Sequence, residues 1–252
     1  MTLQEYFLEN PSIAVAFSGG VDSAWLLHEA ARYAERTAAY FVRTPFQPAF
    51  ELADARETAE KLGVELKIIE LDVLGLPEVA ANPENRCYFC KKTLFTALKE
   101  RAQADGFPLI ADGSNASDDA GGRPGMVALG ELGVVSPLRL CGVTKGEIRA
   151  RAREAGIAVW DKPSYACLAT RIPAGTAIAA EDLQRVERGE ETLMAMGFFD
   201  FRLRLRGEKA LLQVRSEQME TAAEKLADIR RALAADFADI LLDPTPRATR
   251  EN

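Results

Sequence analysis

Short apolar runs alternate with longer segments of helical spacing over the first two thirds of the chain. A short apolar run between polar or glycine residues suits a buried strand, whereas apolar residues three and four positions apart predict an amphipathic helix. Strands are predicted at residues 12–17, 40–42, 65–71, 108–111 and 134–138. Helices are predicted at residues 22–35, 50–62, 91–105 and 144–155. This alternation predicts an α/β fold, in which a parallel sheet carries helices on both faces.

The pattern changes after about residue 167. Residues 201–206 alternate strictly between apolar residues and arginine, which is typical of a strand with one buried face. Helices are predicted at residues 181–196 and 218–234, and strands at residues 210–214 and 239–242. We therefore expect a small α+β domain over residues 167–252, after a larger domain over residues 1–166.

Composition and charge limit the possible partners. The chain has 252 residues, of which 48% are hydrophobic and 27% charged, as in an ordinary globular protein. Its net charge of −7 disfavours nucleic acid as the main partner. The first nine residues do not resemble a secretory signal, and no apolar run approaches the roughly 18 residues of a membrane helix. We expect a cytoplasmic homo-oligomer that binds neither nucleic acid nor a membrane.

A loop of sequence Ser-Gly-Gly-Val-Asp-Ser, at residues 18–23, joins the first predicted strand to the first predicted helix. Glycine lets the backbone approach a phosphate closely, and amides at a helix N-terminus favour an anion. The loop lacks the Gly-Lys-Ser ending of a Walker loop. Its expected nucleotide-binding residues are Ser18, Gly19, Gly20, Asp22 and Ser23. The carboxylate of Asp22 repels phosphate, so it is expected to hold Mg²⁺ or to cap the helix; a capped Gly-Gly turn is the structural alternative.

Two further candidates follow predicted strands. The segment Asp112-Gly113-Ser114-Asn115 comes after one strand, and Arg43 ends another. Ligands of open α/β sheets bind at the carboxyl ends of the strands, so Gly113, Ser114 and Arg43 are expected to bind the nucleotide. The alternative is an ordinary turn, which these residue types also form.

The four cysteines are Cys87, Cys90, Cys141 and Cys167. In a reducing compartment, a C-x-x-C pair with a distant third cysteine suggests a metal site or catalysis, although buried apolar thiols are the alternative. Three thiolates can hold three corners of a [4Fe-4S] cluster and leave one iron open, whereas structural zinc usually takes four protein ligands. Cys141 could be a fourth ligand, but its neighbours favour a buried strand end. The lone histidine, His28, is expected to be structural.

Five segments together resemble one family, and they are residues 18–23, 86–91, 112–115, 136–138 and 162–171. They are similar to the LarE family, the pyridinium-3,5-bisthiocarboxylic acid mononucleotide synthases of the PP-loop superfamily. The resemblance implies that ATP, with Mg²⁺, adenylates a carboxylate of pyridinium-3,5-biscarboxylic acid mononucleotide. Sulfur from sulfide or another donor then displaces AMP, which supplies the sulfur ligands of the nickel-pincer cofactor of lactate racemase.

The family has two sulfur sources. Some members give up the sulfur of the cysteine that matches Cys167, whereas others use three cysteines to hold a [4Fe-4S] cluster that relays added sulfide. By resemblance, Cys87, Cys90 and Cys167 place this chain in the second group, with Cys167 as the catalytic residue. Thr170 departs from the serine of many relatives, but either residue can donate a hydroxyl hydrogen bond.

An anionic substrate requires cations. Arg202, Arg204 and Arg206 share one face of a predicted strand at intervals of about 7 Å, and guanidinium groups suit phosphate and carboxylate. A solvated strand face is the equal alternative. Arg171, and Lys162 nearby in sequence, are further candidates that could also lower the pKa of the Cys167 thiol.

Two other functions fit part of the pattern. A PP-loop tRNA thiolase shares adenylation and a three-cysteine cluster, but it should carry an RNA-binding extension or zinc knuckles. A non-catalytic nucleotide-binding regulatory module would share the fold, but it would leave the segment around Cys167 without a purpose.

Overall fold

The computed structural model describes residues 1–118 and 124–248, so residues 249–252 of the predicted second domain lie outside the described residues. The strands are β1 (Ser12–Ala16), β2 (Arg36–Arg43), β3 (Leu66–Glu70), β4 (Leu109–Ala111), β5 (Arg202–Arg206), β6 (Lys209–Gln213) and β7 (Asp239–Leu242). The helices are α1 (Leu3–Glu9), α2 (Val21–Tyr33), α3 (Ala49–Lys61), α4 (Pro77–Ala80), α5 (Arg86–Ala104), α6 (Pro124–Glu131), α7 (Pro137–Leu140), α8 (Lys145–Glu154), α9 (Ala180–Ala195), α10 (Met219–Glu224) and α11 (Leu226–Ala232). None of these helices combines the length and the apolar character that a bilayer crossing requires.

The chain forms two compact units. The first comprises residues 1–73 and 85–162, and the second comprises residues 74–84 and the described residues from 163 onwards.

A four-stranded parallel sheet in the order β3-β2-β1-β4 forms the centre of the first unit, within the described residues. Alternate residues of β1 enter two different cores. Ile13 and Val15 pack in the cluster that contains residues of α2 and α3, whereas Ala14 packs in the cluster that contains residues of α5. This period of two shows that helices cover both faces, so the predicted α/β fold is confirmed.

Two local predictions for the first unit are wrong. Residues 134–138 form a single parallel bridge between Val135 and Ala111 instead of a strand. The reason is Pro137, which has no amide hydrogen for a ladder and occupies the first turn of α7. Cys141 is therefore the C-terminal cap of that short helix, half-buried, and not a buried strand end.

The second unit contains the small mixed sheet β5-β6-β7, in which β5 and β6 are antiparallel and β6 and β7 are parallel. The helix α9 packs on this sheet through Leu183, Val186 and Leu193, which are fully buried. The single helix predicted at residues 218–234 is instead divided into α10 and α11, because Lys225 leaves helical geometry between them.

Candidate functional site

The loop at residues 18–23 lies between β1 and α2, as predicted, at the carboxyl edge of the parallel sheet. Gly19 has φ +75°, and a Cβ there would stand 3.1 Å from the carbonyl oxygen of Glu51. Ser23 closes the loop, because its hydroxyl donates to Gly20 O (3.0 Å) and accepts from Ser18 N (3.3 Å). No side chain among the described residues caps the N-terminus of α2. The loop thus has the backbone geometry and the helix start that suit a phosphate.

Asp22 lies in the first turn of α2, and its carboxylate has two side-chain partners. Lys145 Nζ is 2.6 Å from Oδ2, and Asn115 Nδ2 donates to Oδ1 at 3.3 Å. Burial raises the pKa of this carboxyl group above its ordinary value, and Lys145 opposes the rise. The side chain of Lys145 is only 8% exposed, so this ion pair is largely removed from water.

The segment after β4 is built around the buried Asp112. Its carboxylate accepts hydrogen bonds from Ser114 Oγ (2.5 Å) and Ser136 Oγ (2.6 Å). Gly113 passes so close to α2 that a Cβ would stand 2.9 Å from Ser23 N. The structure therefore brings Gly113 and the phosphate loop together, while Ser114 is turned towards Asp112.

Arg43 lies at the same edge of the sheet, at the end of β2. It pairs with Glu70 of β3 at 3.4 Å, and half of its side chain is exposed. An exposed pair of this kind is weak, so the guanidinium can exchange its partner for a ligand.

All four cysteines are thiols. Cys87 and Cys90 lie three residues apart near the start of α5, which places their side chains on neighbouring positions of one helix face. Cys87 is exposed, and Nη2 of the buried Arg86 lies 3.9 Å from its sulfur. Among the described residues, no three His, Cys, Asp or Glu side chains form a ready-made metal site. Cys87 and Cys90 belong to the first unit, and Cys167 belongs to the second.

Cys167 precedes a 3-10 turn (Leu168–Arg171) in the second unit. Its carbonyl oxygen accepts from the amide and the hydroxyl of Thr170, at 2.9 and 2.8 Å. The guanidinium of Arg171 is fully buried and donates to Ala166 O at 2.8 Å and to both oxygens of Glu190. Arg171 is therefore a buried side chain that fixes the backbone around Cys167, which is called the cysteine segment below. The side chain of Lys162 pairs with Asp54 in the first unit.

The three arginines of β5 differ in their surroundings. Arg202 is buried: it donates to Ser164 O at 3.0 Å and lies over the ring of Tyr165. Burial, together with the neighbouring cations Arg171 and Arg247, lowers the pKa of Arg202 to about 10. Arg204 is half-buried and donates to Gln213, whereas Arg206 is exposed.

Arg202 and Arg204 lie near two further cations, Arg171 and Arg247. Burial and the same two cations, Arg171 and Arg247, lower the pKa of Arg204 as well. Neither Arg202 nor Arg204 forms an ion pair with a described acidic residue. Arg171 and Arg247 are paired with Glu190 and Asp200, so Arg202 and Arg204 are the cations here that an anion could pair with.

Two functional candidates escape the sequence pattern. Lys145 is the first residue of α8, directly after Thr144, which forms a capping box with Glu147. In the sequence, a lysine at such a helix start looks like an ordinary surface residue. Glu190 lies four residues after Val186 and three before Leu193, on the buried face of α9. A carboxylate at such an apolar position indicates a buried partner, and this signal could have identified Glu190.

His28 stacks against Trp25 in α2, with ring centroids 5.2 Å apart. Burial lowers its pKa below the ordinary value for histidine, and Arg32 lowers it further. The contact fits the structural role expected for this residue.

Comparison with known proteins gives relatives that extend over most of the chain. It is 36% identical to an uncharacterized protein of Synechocystis sp. over 219 residues, which cover 86% of this chain and 82% of that protein. It is 30% identical to an uncharacterized protein of Methanocaldococcus jannaschii over 94% of this chain and 88% of that protein. It is 29% identical to the pyridinium-3,5-bisthiocarboxylic acid mononucleotide synthase of Lactiplantibacillus plantarum over 80% of this chain and 74% of that protein. No protein-family model matches the chain.

Proposed function

Because this chain belongs to the LarE family, we propose that it is an ATP-dependent sulfurtransferase of nickel-pincer cofactor synthesis. Its substrate in this proposal is pyridinium-3,5-biscarboxylic acid mononucleotide, and its products are the thiocarboxylate, AMP and pyrophosphate. The observation that carries the proposal is the phosphate loop at residues 18–23, set between a buried parallel strand and an uncapped helix start.

The first step is adenylation. A carboxylate is a poor electrophile, so one of its oxygens attacks the α-phosphorus of ATP, and pyrophosphate leaves. The backbone at Gly19 and Gly20, with the hydroxyls of Ser18 and Ser23, would bind the phosphates. Gly113, Ser114 and Arg43 lie at the same sheet edge and would complete the nucleotide site. Asp22 offers carboxylate oxygens, which are the ligands that Mg²⁺ prefers.

The second step is sulfur transfer. A sulfur nucleophile attacks the acyl carbon of the adenylate, AMP leaves with the bonding electrons, and a thiocarboxylate remains. Arg202 and Arg204 would bind the anionic groups of the substrate, and Arg206 would contribute from the exposed end of β5. Arg171 has its donors directed at Glu190 and at the segment before the 3-10 turn, so it serves the site by fixing Cys167.

We propose Cys87, Cys90 and Cys167 as the ligands of a [4Fe-4S] cluster. All three are free thiols of the donor type that such a cluster requires, and Cys87 and Cys90 lie one helix turn apart near the start of α5. When bound, the cluster would supply an open iron that accepts sulfide.

The test is an anaerobic reaction of the reconstituted protein with Mg-ATP, the biscarboxylate mononucleotide and sulfide. AMP, pyrophosphate and a substrate heavier by the replacement of oxygen with sulfur are expected. Release of ADP and phosphate would overturn the adenylation step, and an unmodified substrate would overturn the sulfur-transfer assignment.

A further inference from the structure

The carboxylate of Asp22 is held by side chains from two other segments of the first unit. Asn115 comes from the segment after β4, and Lys145 is the first residue of α8. Asn115 is itself fixed, because its backbone amide donates to Asp118 Oδ2 at 2.9 Å and its carbonyl accepts from Arg139 at 3.3 Å. The position of Asp22 is therefore determined by residues 93 and 123 positions farther along the chain.

Lys145 is unusual among the lysines of the chain for its burial. Its side chain is 8% exposed, compared with 57% for Lys61 and 48% for Lys92. A buried ammonium group is costly unless a charge compensates it, and its carboxylate partner here is Asp22. A buried ion pair is weak evidence for stability, so its place beside the phosphate loop points to a role in that loop.

The role follows from the charges at the loop. A triphosphate is strongly anionic. Asp22 is the second residue of α2, so its carboxylate lies at the helix start where phosphate would bind. An uncompensated carboxylate there would repel the nucleotide. Lys145, at 2.6 Å, makes the pair neutral as a whole, so the loop amides and the helix dipole can act on the anion.

We propose that Lys145 is a positioning residue of the nucleotide site, which holds and charge-compensates Asp22 so that the loop accepts a triphosphate. The inference rests on the proposed function, because it takes residues 18–23 as the phosphate site. The alternative is that Lys145 binds a phosphate directly. The two roles differ in a background without the Asp22 charge, where compensation is no longer needed but a direct contact still is.

The experiment measures the affinity for α,β-methylene-ATP by calorimetry, with and without Mg²⁺, because this analogue resists cleavage between the α and β phosphates. Lys145→Met should weaken binding by at least about tenfold, as expected for loss of a charge-assisted contact. Lys145→Arg should recover most of the affinity. Without Mg²⁺, the double variant Asp22→Asn/Lys145→Met should bind the nucleotide as tightly as Asp22→Asn alone, because no carboxylate is left to compensate.

Lys67 and Asp105 provide a matched control. Their ion pair of 3.0 Å is also partly buried, but Lys67 lies on β3 and Asp105 follows α5, next to the amino end of the sheet. Lys67→Met and Asp105→Asn/Lys67→Met should bind the analogue like the wild type. Thermal unfolding checks that each variant is folded, and Lys145→Gln replaces Lys145→Met if the latter does not fold.

The outcomes separate the inference from the function on which it rests. Failure of the wild type to bind the analogue would overturn both. Binding by the wild type and equal binding by folded Lys145→Met would overturn only the inference. A double variant that binds the Mg²⁺-free analogue more weakly than Asp22→Asn would also overturn it and would assign Lys145 to direct phosphate binding.

Discussion

Arg171 and Glu190 form a two-pronged ion pair inside the second unit, with Nε–Oε1 and Nη2–Oε2 distances of 2.7 and 3.0 Å. Neither side chain is more than 1% exposed. Glu190 also accepts hydrogen bonds from Leu203 N at 3.0 Å and from the hydroxyl of Tyr165 at 2.5 Å. One carboxylate of α9 therefore ties the cysteine segment to β5.

Arg171→Met should destabilise the protein by about 3–5 kcal/mol, because it leaves the Glu190 charge buried without its partner. The matched control is Arg188→Met. Arg188 pairs with Asp236 from a half-exposed position, so its loss should cost less than about 1 kcal/mol. Urea unfolding followed by circular dichroism gives both free energies of unfolding. Equal losses would contradict the importance of burial for this pair.

Gly113→Ala should weaken nucleotide binding, because the added Cβ would stand 2.9 Å from Ser23 N and push the loop away from α2. Overpacking of this kind costs about 1–3 kcal/mol, or roughly 5- to 150-fold in affinity if it falls on the bound state. Calorimetry with ATP analogues measures the effect. Gly146→Ala is the control: it lies in α8 with open space around the new Cβ, and it should leave affinity unchanged and slightly raise stability.

Asp105 gives a prediction for the pH dependence of stability. Hydrogen bonds from Lys67 and Tyr40, together with Arg101, lower the pKa of its carboxyl group from 3.8 to about 2. A lowered carboxyl pKa stabilises the fold above the unfolded value, and this contribution disappears as the pH falls from about 4 through 2. Asp105→Asn should therefore be less stable at pH 7 and lose less stability on acidification.

Urea unfolding at pH 7, 4 and 2.5 checks this prediction. Asp228→Asn is the control, since Asp228 forms an exposed pair with Arg231 within one helix. The prediction fails if Asp105→Asn and the wild type lose the same stability between pH 4 and 2.5.

The sequence pattern was sufficient to predict the parallel sheet and its loop, because the buried positions of β1 and β2 are apolar and the loop carries two glycines at a strand end. It was not sufficient for residues 134–138, where one proline outweighed the apolar character of its neighbours. Local propensity also failed at Lys225, where the predicted helix divides. In each case backbone geometry at one residue decided the outcome.

The site residues divide in a similar way. The alternation in β5 predicted that Arg202, Arg204 and Arg206 share a face, but alternation cannot show what covers that face. Burial of Arg202 depends on its contact with Ser164, 38 positions earlier in the chain. The pairing of Lys145 with Asp22 spans 123 positions. Contacts at such separations arise from the fold. The local pattern around Lys145 predicts only a helix start, because Thr144 forms a capping box there.

Arg204→Ala should raise the dissociation constant for the biscarboxylate mononucleotide by about 10- to 150-fold, since a charge-assisted hydrogen bond is worth about 1.5–3 kcal/mol. Its affinity for ATP should not change. Arg202→Ala should act in the same direction and also lower stability, because Arg202 holds Ser164 O. Binding is measured by calorimetry, with Arg188→Ala as the control from the same unit. Unchanged substrate affinity in both β5 variants would remove these arginines from the substrate site.

The cysteine variants decide the source of sulfur. If Cys87, Cys90 and Cys167 hold a [4Fe-4S] cluster, then Cys87→Ser and Cys90→Ser should each abolish iron binding after anaerobic reconstitution and also abolish multiple turnover with sulfide. The wild type should turn over many times with an unchanged protein mass. Cys141→Ser is the matched control, because Cys141 caps α7 and is not a proposed ligand. It should retain iron and activity.

A sacrificial role of Cys167 predicts the opposite behaviour. The sulfur of Cys167 would leave by β-elimination, so each chain would react once and lose the mass of one hydrogen sulfide, about 34 Da, at that residue. In that case Cys87→Ser and Cys90→Ser would still give one turnover, because their thiols lie on α5 and the reacting sulfur is that of Cys167. Intact-protein mass spectrometry, read beside the iron content and the number of product molecules per chain, separates the two chemistries. Full iron content in Cys87→Ser would exclude Cys87 as a ligand, and loss of mass at Cys167 in the wild type would exclude a catalytic relay.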